Sequence, residues 1–108
     1  MTIISSQHYI SDSIVDRKIA ELQASGADHV VIPCAYVGVI DGVEYAMQSD
    51  GHHTLAAARE LGLAVEFDVG DDPESLTGEE LLVARQMDGD WYDVELSNPY
   101  YCQISLIW

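Results

Sequence analysis

The fold of this chain is decided by the stretch DGHHTLAAARELG, residues 50–62. Leu55, Ala58 and Leu61 recur at the spacing of one face of a helix. Gly62 follows them, and glycine commonly ends a helix because it adopts the left-handed conformation without strain. The stretch therefore predicts a helix that begins at its first or second residue and ends before Gly62.

A β-hairpin is predicted on the N-terminal side of this helix. The apolar runs of residues 30–40 and 43–47 are separated by Asp41-Gly42, a dipeptide that favours a tight type I′ turn. Such a turn would place Ile40 opposite Val43. The two runs are therefore predicted to be adjacent antiparallel strands.

Further strands are predicted around the hairpin. Pro33 is expected near the beginning of its strand or at a sheet edge, because proline cannot donate a backbone hydrogen bond. Residues 100–108 alternate weakly and predict a late strand. Residues 63–69 alternate more regularly and predict a strand with one apolar face, made by Leu63, Val65, Phe67 and Val69.

Two more helices complete the predicted architecture. One begins at Ser11 or Asp12, and the other follows Thr77, whose hydroxyl is predicted to form a capping box with Glu80. No repeat or Pro/Gly-rich linker interrupts the chain. The sequence thus predicts one domain over residues 1–108, with an α/β (α+β) fold of a small mixed sheet and about three helices.

The charge of the chain is its unusual compositional feature. The sequence has 19 acidic and only four basic residues, which gives a formal net charge of −15. Such a surface repels phosphate backbones and anionic membranes, so composition argues against direct DNA binding and against a membrane partner. Residues 1–10 lack the pattern of a secretory signal, which predicts a cytoplasmic protein. Cys34 and Cys102 form no Cys-x-x-Cys pair and are expected to be reduced thiols.

The residues best suited to bind a ligand or transfer a proton cluster at the predicted helix start at residue 50. The first amides of a helix have no acceptor within the helix, and the helix dipole places partial positive charge there. Gly51 would let a phosphate approach this backbone closely, with Thr54 beside it, while His52 and His53 could donate hydrogen bonds or transfer protons. Asp50 could assist a nucleotide-borne Mg²⁺ or act as a base, and the alternative is that it only caps the helix.

The predicted hairpin, the helix that follows it and the next strand together span residues 31–69. This region resembles the ParB/sulfiredoxin superfamily. Many members carry a Gly-x-x-Arg box at the helix start, often as Asp-Gly-His-His-Arg in small ParB-like proteins and in ADP-dependent free serine kinases. The resemblance implies a ParB/sulfiredoxin-like fold. By relation to the serine kinases, it implies that Asp50, His52 and His53 handle the phosphate and its metal.

The sequence departs from the family pattern in two places. Thr54 stands where the family's Arg would grip phosphate through two hydrogen bonds, and a hydroxyl does not replace that grip. Its loss costs on the order of 2 to 3 kcal/mol, or roughly a hundredfold in affinity. Arg59 is expected on another face of the helix. His52 occupies the position of the sulfiredoxin Cys, which argues against sulfiredoxin chemistry.

Three functions are therefore predicted as alternatives. The first is the binding of a nucleotide phosphate (ATP, ADP or CTP) at residues 50–54, compatible with phosphoryl transfer or hydrolysis and with Asp50, His52 and His53 as the catalytic candidates. The second is a non-enzymatic acidic protein, such as an inhibitor that mimics nucleic acid and engages a basic partner. The third is a metal-dependent nuclease. Either a monomer or a homodimer fits the sequence.

Overall fold

A five-stranded mixed sheet organises the chain, and the computed structural model describes all of its residues, 1–108. The strands lie in the order β4-β2-β3-β1-β5. The fold class predicted from the sequence, a small mixed sheet with three helices, is confirmed. In chain order the elements are β1 (Thr2–Ser5), α1 (Asp12–Ser25), β2 (His29–Ile40), β3 (Val43–Gln48), α2 (His52–Leu61), β4 (Ala64–Gly70), α3 (Gly78–Arg85), β5 (Tyr92–Asp93) and a short 3₁₀ helix (Pro99–Tyr101).

The β2–β3 hairpin confirms the prediction from Asp41-Gly42. Both turn residues have positive φ, 50° at Asp41 and 81° at Gly42, as a type I′ turn requires. Ile40 pairs with Val43 as predicted, and the register shifts once between Tyr36 and Gly38. The local turn chemistry was sufficient to determine this part of the sheet.

The prediction that Pro33 lies near a strand start or sheet edge was wrong. β2 is an interior strand, and Pro33 is paired in the middle of it with Asp68 of β4. The Pro33 carbonyl accepts the Ser49 amide, so the Pro33 nitrogen, on the same side of the strand, faces the end of β3. The regular β2–β3 register ends next to it, at Cys34, and no ladder donor is required there.

The two faces of the sheet bury separate apolar clusters. On one face, Ile32 and other strand residues pack with Leu55 and Ala58 of α2. On the other face, Val37 and its neighbours pack with Leu81 and Leu82 of α3. This alternation along β2 places α2 and α3 on opposite faces of the sheet.

Sequence reasoning missed β1, which lies beside β3 and runs parallel to it, with Thr2 opposite Tyr45. The strand is only four residues long, and its pattern becomes recognisable only through burial, since Ile4 is fully buried. Its C-terminal end brings Ser5 under the start of α2. This contact is part of the candidate site.

Two C-terminal predictions need correction. Residues 100–108 do not form a strand, because Pro99 begins a 3₁₀ helix and only two isolated bridges follow, Gln103 with Asn98 and Leu106 with Tyr92. The helix after Thr77 is confirmed, but the capping box with Glu80 was wrong, because Thr77 makes no side-chain cap hydrogen bond.

Candidate functional site

The start of α2 is an open amide end, as the sequence predicted. Gly51 is its N-cap residue, with φ 78° and ψ 21°, and no side chain caps the helix. The Leu55 amide bonds to the Gly51 carbonyl at 2.8 Å, whereas the amides of residues 52–54 have no acceptor within the protein. These three amides are free to bind an external acceptor.

The position of Gly51 demands glycine for two reasons. Its φ lies in the left-handed region, which residues other than glycine adopt only with strain. A Cβ at this position would also lie 3.3 Å from Cδ1 of the buried Ile32. The close approach of the α2 start to β2 therefore depends on the absence of a side chain.

Asp50 lies at the mouth of this helix end and is exposed. Its Oδ1 accepts the Gly51 amide at 2.7 Å, which is the amide before the helix rather than one of its first turn. Asp50 therefore does not cap α2, and its other carboxylate oxygen makes no hydrogen bond within the protein. One exposed carboxylate fits a nucleotide-borne Mg²⁺, which needs only one or two protein carboxylates.

His52 turns away from solvent into the protein. Its side chain is 7% exposed, and Nε2 lies 2.7 Å from Oγ of Ser5 at the end of β1. Burial lowers the pKa of His52 to about 4, with His53 adding to the effect and Asp50 and Asp88 opposing it. The ring is therefore neutral at pH 7, and only Nδ1 has no protein partner. The predicted role of His52 as a donor to phosphate is limited to that nitrogen.

His53 is half-buried and holds α1 against α2. Its Nε2 accepts the Ser11 amide at 3.1 Å, which assigns the ring proton of the neutral form to Nδ1. Burial lowers the pKa of His53, and the charges of Lys18 and Arg17 lower it further. His53 is thus a neutral residue with one ring N–H still available.

A groove of about 310 Å³ lies over the α2 start and is called the α2 groove below. It brings together all five residues predicted from the sequence and adds Lys18 of α1, which sequence reasoning missed. Lys18 could have been suspected only because the chain has four basic residues in all. The lining is Asp50, Gly51, His52, His53, Thr54, Ile14, Lys18, Val31 and Pro33.

The other candidate cation on α2, Arg59, is bound inside the protein. Its guanidinium donates to the carbonyls of Val94 and Ser97, both at 2.8 Å. This agrees with the expectation that Arg59 lies on another face of the helix. It holds the C-terminal loop and does not replace the Arg that is absent at Thr54.

A second groove, of about 620 Å³, is called the acidic groove below because Asp68, Asp71 and Glu74 line it. These three carboxylates are exposed. Asp72 beside them is buried, and Arg85 donates to both of its carboxylate oxygens, at 2.9 and 3.1 Å. Hydrogen bonds from Arg85 keep the pKa of Asp72 below its usual range.

The acidic groove also contains the thiol of Cys34 and the hydroxyl of Ser5. Cys34 lines it, and burial raises the pKa of this thiol to about 11, so it is protonated and not nucleophilic at neutral pH. Both cysteines are free thiols, as predicted. No three His, Cys, Asp or Glu side chains form a group suited to a metal ion.

Comparisons of the chain with families of known proteins, with characterised proteins and with solved structures found no match. The resemblance to the ParB/sulfiredoxin superfamily therefore stays a prediction from the residues quoted above. None of the helices has the length and apolarity needed to cross a membrane.

Proposed function

We propose that the chain is a ParB/sulfiredoxin-like domain that binds the phosphate of a nucleotide, such as ATP, ADP or CTP, in the α2 groove. The observation that carries this proposal is the set of three free amides, those of residues 52–54, behind a glycine N-cap. Backbone amides at a helix start combine hydrogen-bond donors with the positive end of the helix dipole. A phosphate is the biological anion that best matches several such donors.

Lys18 supports the proposal through its charge. It lines the α2 groove, and its nearest acidic partner, Glu21, lies 3.5 Å away on the same helix. Arg59 and Arg85 are held by internal partners, so the surface offers few cations to an anion. At long range a chain of net charge −15 repels an anion, so affinity depends on these local donors.

The predicted site residues take unequal roles in this proposal. The Gly51 backbone lets the phosphate approach, and the Nδ1–H of His53 adds a neutral donor. His52 positions the helix start through its bond to Ser5 rather than gripping the ligand. Thr54 contributes its amide, and Asp50 is the residue that would hold a nucleotide-borne Mg²⁺, which would neutralise phosphate charge.

Catalysis is the less supported part of the nucleotide hypothesis. Both histidines use Nε2 within the protein, which removes one ring nitrogen of each from proton transfer to a ligand. Asp50 keeps one carboxylate oxygen without a partner and is the best candidate base. We therefore propose binding as the primary function, with phosphoryl transfer or hydrolysis dependent on Asp50.

Calorimetric titration with ATP, ADP and CTP, each with and without Mg²⁺, tests the proposal. Saturable binding of at least one nucleotide is expected, and Lys18→Gln should weaken it. Arg17→Gln is the matched control, because it removes the same charge from the neighbouring exposed position, which does not line the groove. An equal loss in both variants would show that net charge, and not the groove, determines binding. Silence with all three nucleotides would refute the proposal.

A second function, an acidic protein that engages a basic partner, is favoured by a different observation. Two of the four basic residues, Arg59 and Arg85, are bound internally, so the solvent-facing surface is even more acidic than the composition implies. Binding of a cationic peptide that weakens as salt rises is expected, because exposed charges are screened within about 10 Å at 0.1 M salt. ATP should not compete with this peptide, and His52→Ala should leave its binding unchanged.

A further inference from the structure

The two edges of the sheet differ in how they are covered. At the β5 edge, the C-terminal segment forms backbone hydrogen bonds, from Asp93 to the Ser105 carbonyl and from Ile107 to the Trp91 carbonyl, both at 2.9 Å. At the other edge lies β4, seven residues long, and no segment pairs with its outer side. An open edge of this length is a template for another strand.

The outward backbone groups of β4 can be assigned from one hydrogen bond. The Ala64 amide donates to the Asp28 carbonyl, so Ala64 directs its backbone groups towards β2. Because these groups alternate along a strand, the next residue and every second one after it direct theirs outward. The outward amides are those of Val65, Phe67 and Val69.

The side chains of β4 are sorted by charge between its two faces. Glu66 and Asp68 project from one face and are exposed, while Val65 and Phe67 project from the other and pack against the apolar cluster of α2. The strand has no Pro or Lys, residues that commonly protect sheet edges. A second copy of the chain would bring like charges together, so self-pairing is disfavoured.

We propose that the β4 edge binds an extended segment of a partner protein in which basic and apolar residues alternate, added to the sheet as a sixth strand. The basic residues of this segment pair with Glu66 and Asp68, and the apolar residues extend the surface of Val65 and Phe67. Asp71 lies just beyond the end of the strand and lines the acidic groove together with Asp68. This inference rests on the second proposed function and is independent of nucleotide binding.

Hydrogen exchange with a synthetic octapeptide of alternating Lys and Val tests the backbone part of the proposal. The amides of Val65, Phe67 and Val69 should exchange at least about tenfold more slowly when the peptide is bound. The amides of Glu66 and Asp68 already bond to β2 and should change little. A peptide of the same composition with its Lys and Val in two blocks is the matched control and should give no such alternating protection.

Three variants test what individual residues of β4 contribute to peptide binding. Val69→Pro removes an outward amide without removing a β2–β4 hydrogen bond, and should weaken peptide binding about tenfold relative to Val69→Ala. The double variant Glu66→Gln and Asp68→Asn should weaken binding at low salt and reduce its salt dependence. Circular dichroism checks that each variant folds, and the exchange experiment on the unchanged chain does not depend on them.

Several results would overturn strand addition. Peptide binding without alternating protection of β4 would show that the peptide binds only through the acidic surface. That result would support the second function and contradict strand addition. A complete lack of peptide binding at low salt would sink both. Protection of the same amides in the protein alone, with dimers in sedimentation analysis, would show that the occupant is a second copy of the chain.

Discussion

The α2 groove and the acidic groove border each other, since Pro33 lines both, yet they differ in which polar groups are already satisfied. The acidic groove is the larger, but its cation, Arg85, is bound by Asp72 and by Glu74. The α2 groove is smaller and contains three amides without acceptors. The difference teaches that unsatisfied donors, rather than volume, set apart the groove in which we propose that an anion binds.

The largest expected effect concerns His52, which joins the two grooves through Ser5. Its folded-state pKa is about 4, below the usual 6.5, so the unfolded state takes up the proton first as the pH falls. The contribution of His52 to stability is complete above pH 6.5 and is lost between 6.5 and 4, by about 3 kcal/mol. Urea unfolding of the wild type and His52→Gln at several pH values measures it.

Because carboxylates titrate in both proteins, the informative quantity is the difference between their pH slopes. The wild type should lose more stability than His52→Gln on acidification. Identical slopes would mean that the pKa of His52 is the same in the folded and the unfolded protein. The two grooves would then not be joined by a buried hydrogen bond.

The next effect is on ligand affinity and comes from Gly51. Gly51→Ala should weaken phosphate binding about fivefold to thirtyfold. A side chain in the left-handed region costs about 1 to 2 kcal/mol and its Cβ meets Ile32, so relief of this strain should shift the amides that hold the ligand. Gly62→Ala at the other end of α2 has a similar φ, 67°, with no atom within 4 Å of its Cβ. That control should keep full affinity for ATP by calorimetry. Equal affinity of both variants would place the ligand elsewhere.

A gain of affinity is expected at Thr54, which lines the α2 groove. Thr54→Arg should strengthen nucleotide binding about tenfold, because a charged, two-pronged donor would reach the phosphate. Thr54→Gln is the uncharged control and should give little change in the same titration. If the Arg variant binds no more tightly, the resemblance of this helix start to the Gly-x-x-Arg box lacks functional meaning.

The smallest effect on nucleotide binding is expected in the acidic groove. In Arg85→Gln, the loop organised by Asp72 should loosen, since Asp72 Oδ2 accepts the amides of Glu74 and Leu76. Hydrogen exchange at those two amides should accelerate, while ATP affinity stays within about twofold of the wild type. A larger loss of affinity would show that the acidic groove forms part of the nucleotide site, and the contrast between the grooves would fail.

The parts of the fold that were predictable have short-range causes. Asp41-Gly42 determined a hairpin register, and Gly62 ended α2 in the left-handed conformation with φ 67°, because both depend on the conformations that a few neighbouring residues can adopt. Thr77 marked a helix start correctly, although its side chain makes no cap bond. The interior position of Pro33 was not predictable, since it depends on where another strand ends.

The candidate site divides in the same way. Its location at residues 50–54 and its free amides followed from the helix pattern. The roles of the two histidines did not, because Ser5 and Ser11, which bond them, come from segments more than 40 residues away in sequence. Lys18 entered the site only through the packing of α1 beside α2.

The sequence by itself determined the hairpin, the three helices, the strong negative charge and the open amide end of α2, since these depend on local conformational preference and composition. The tertiary structure alone decided that His52 is buried and neutral, that Arg59 and Arg85 are bound internally, and that one sheet edge is covered while the other is open. The physical reason is that burial and hydrogen-bond satisfaction are properties of distant groups brought together, which a linear pattern does not specify.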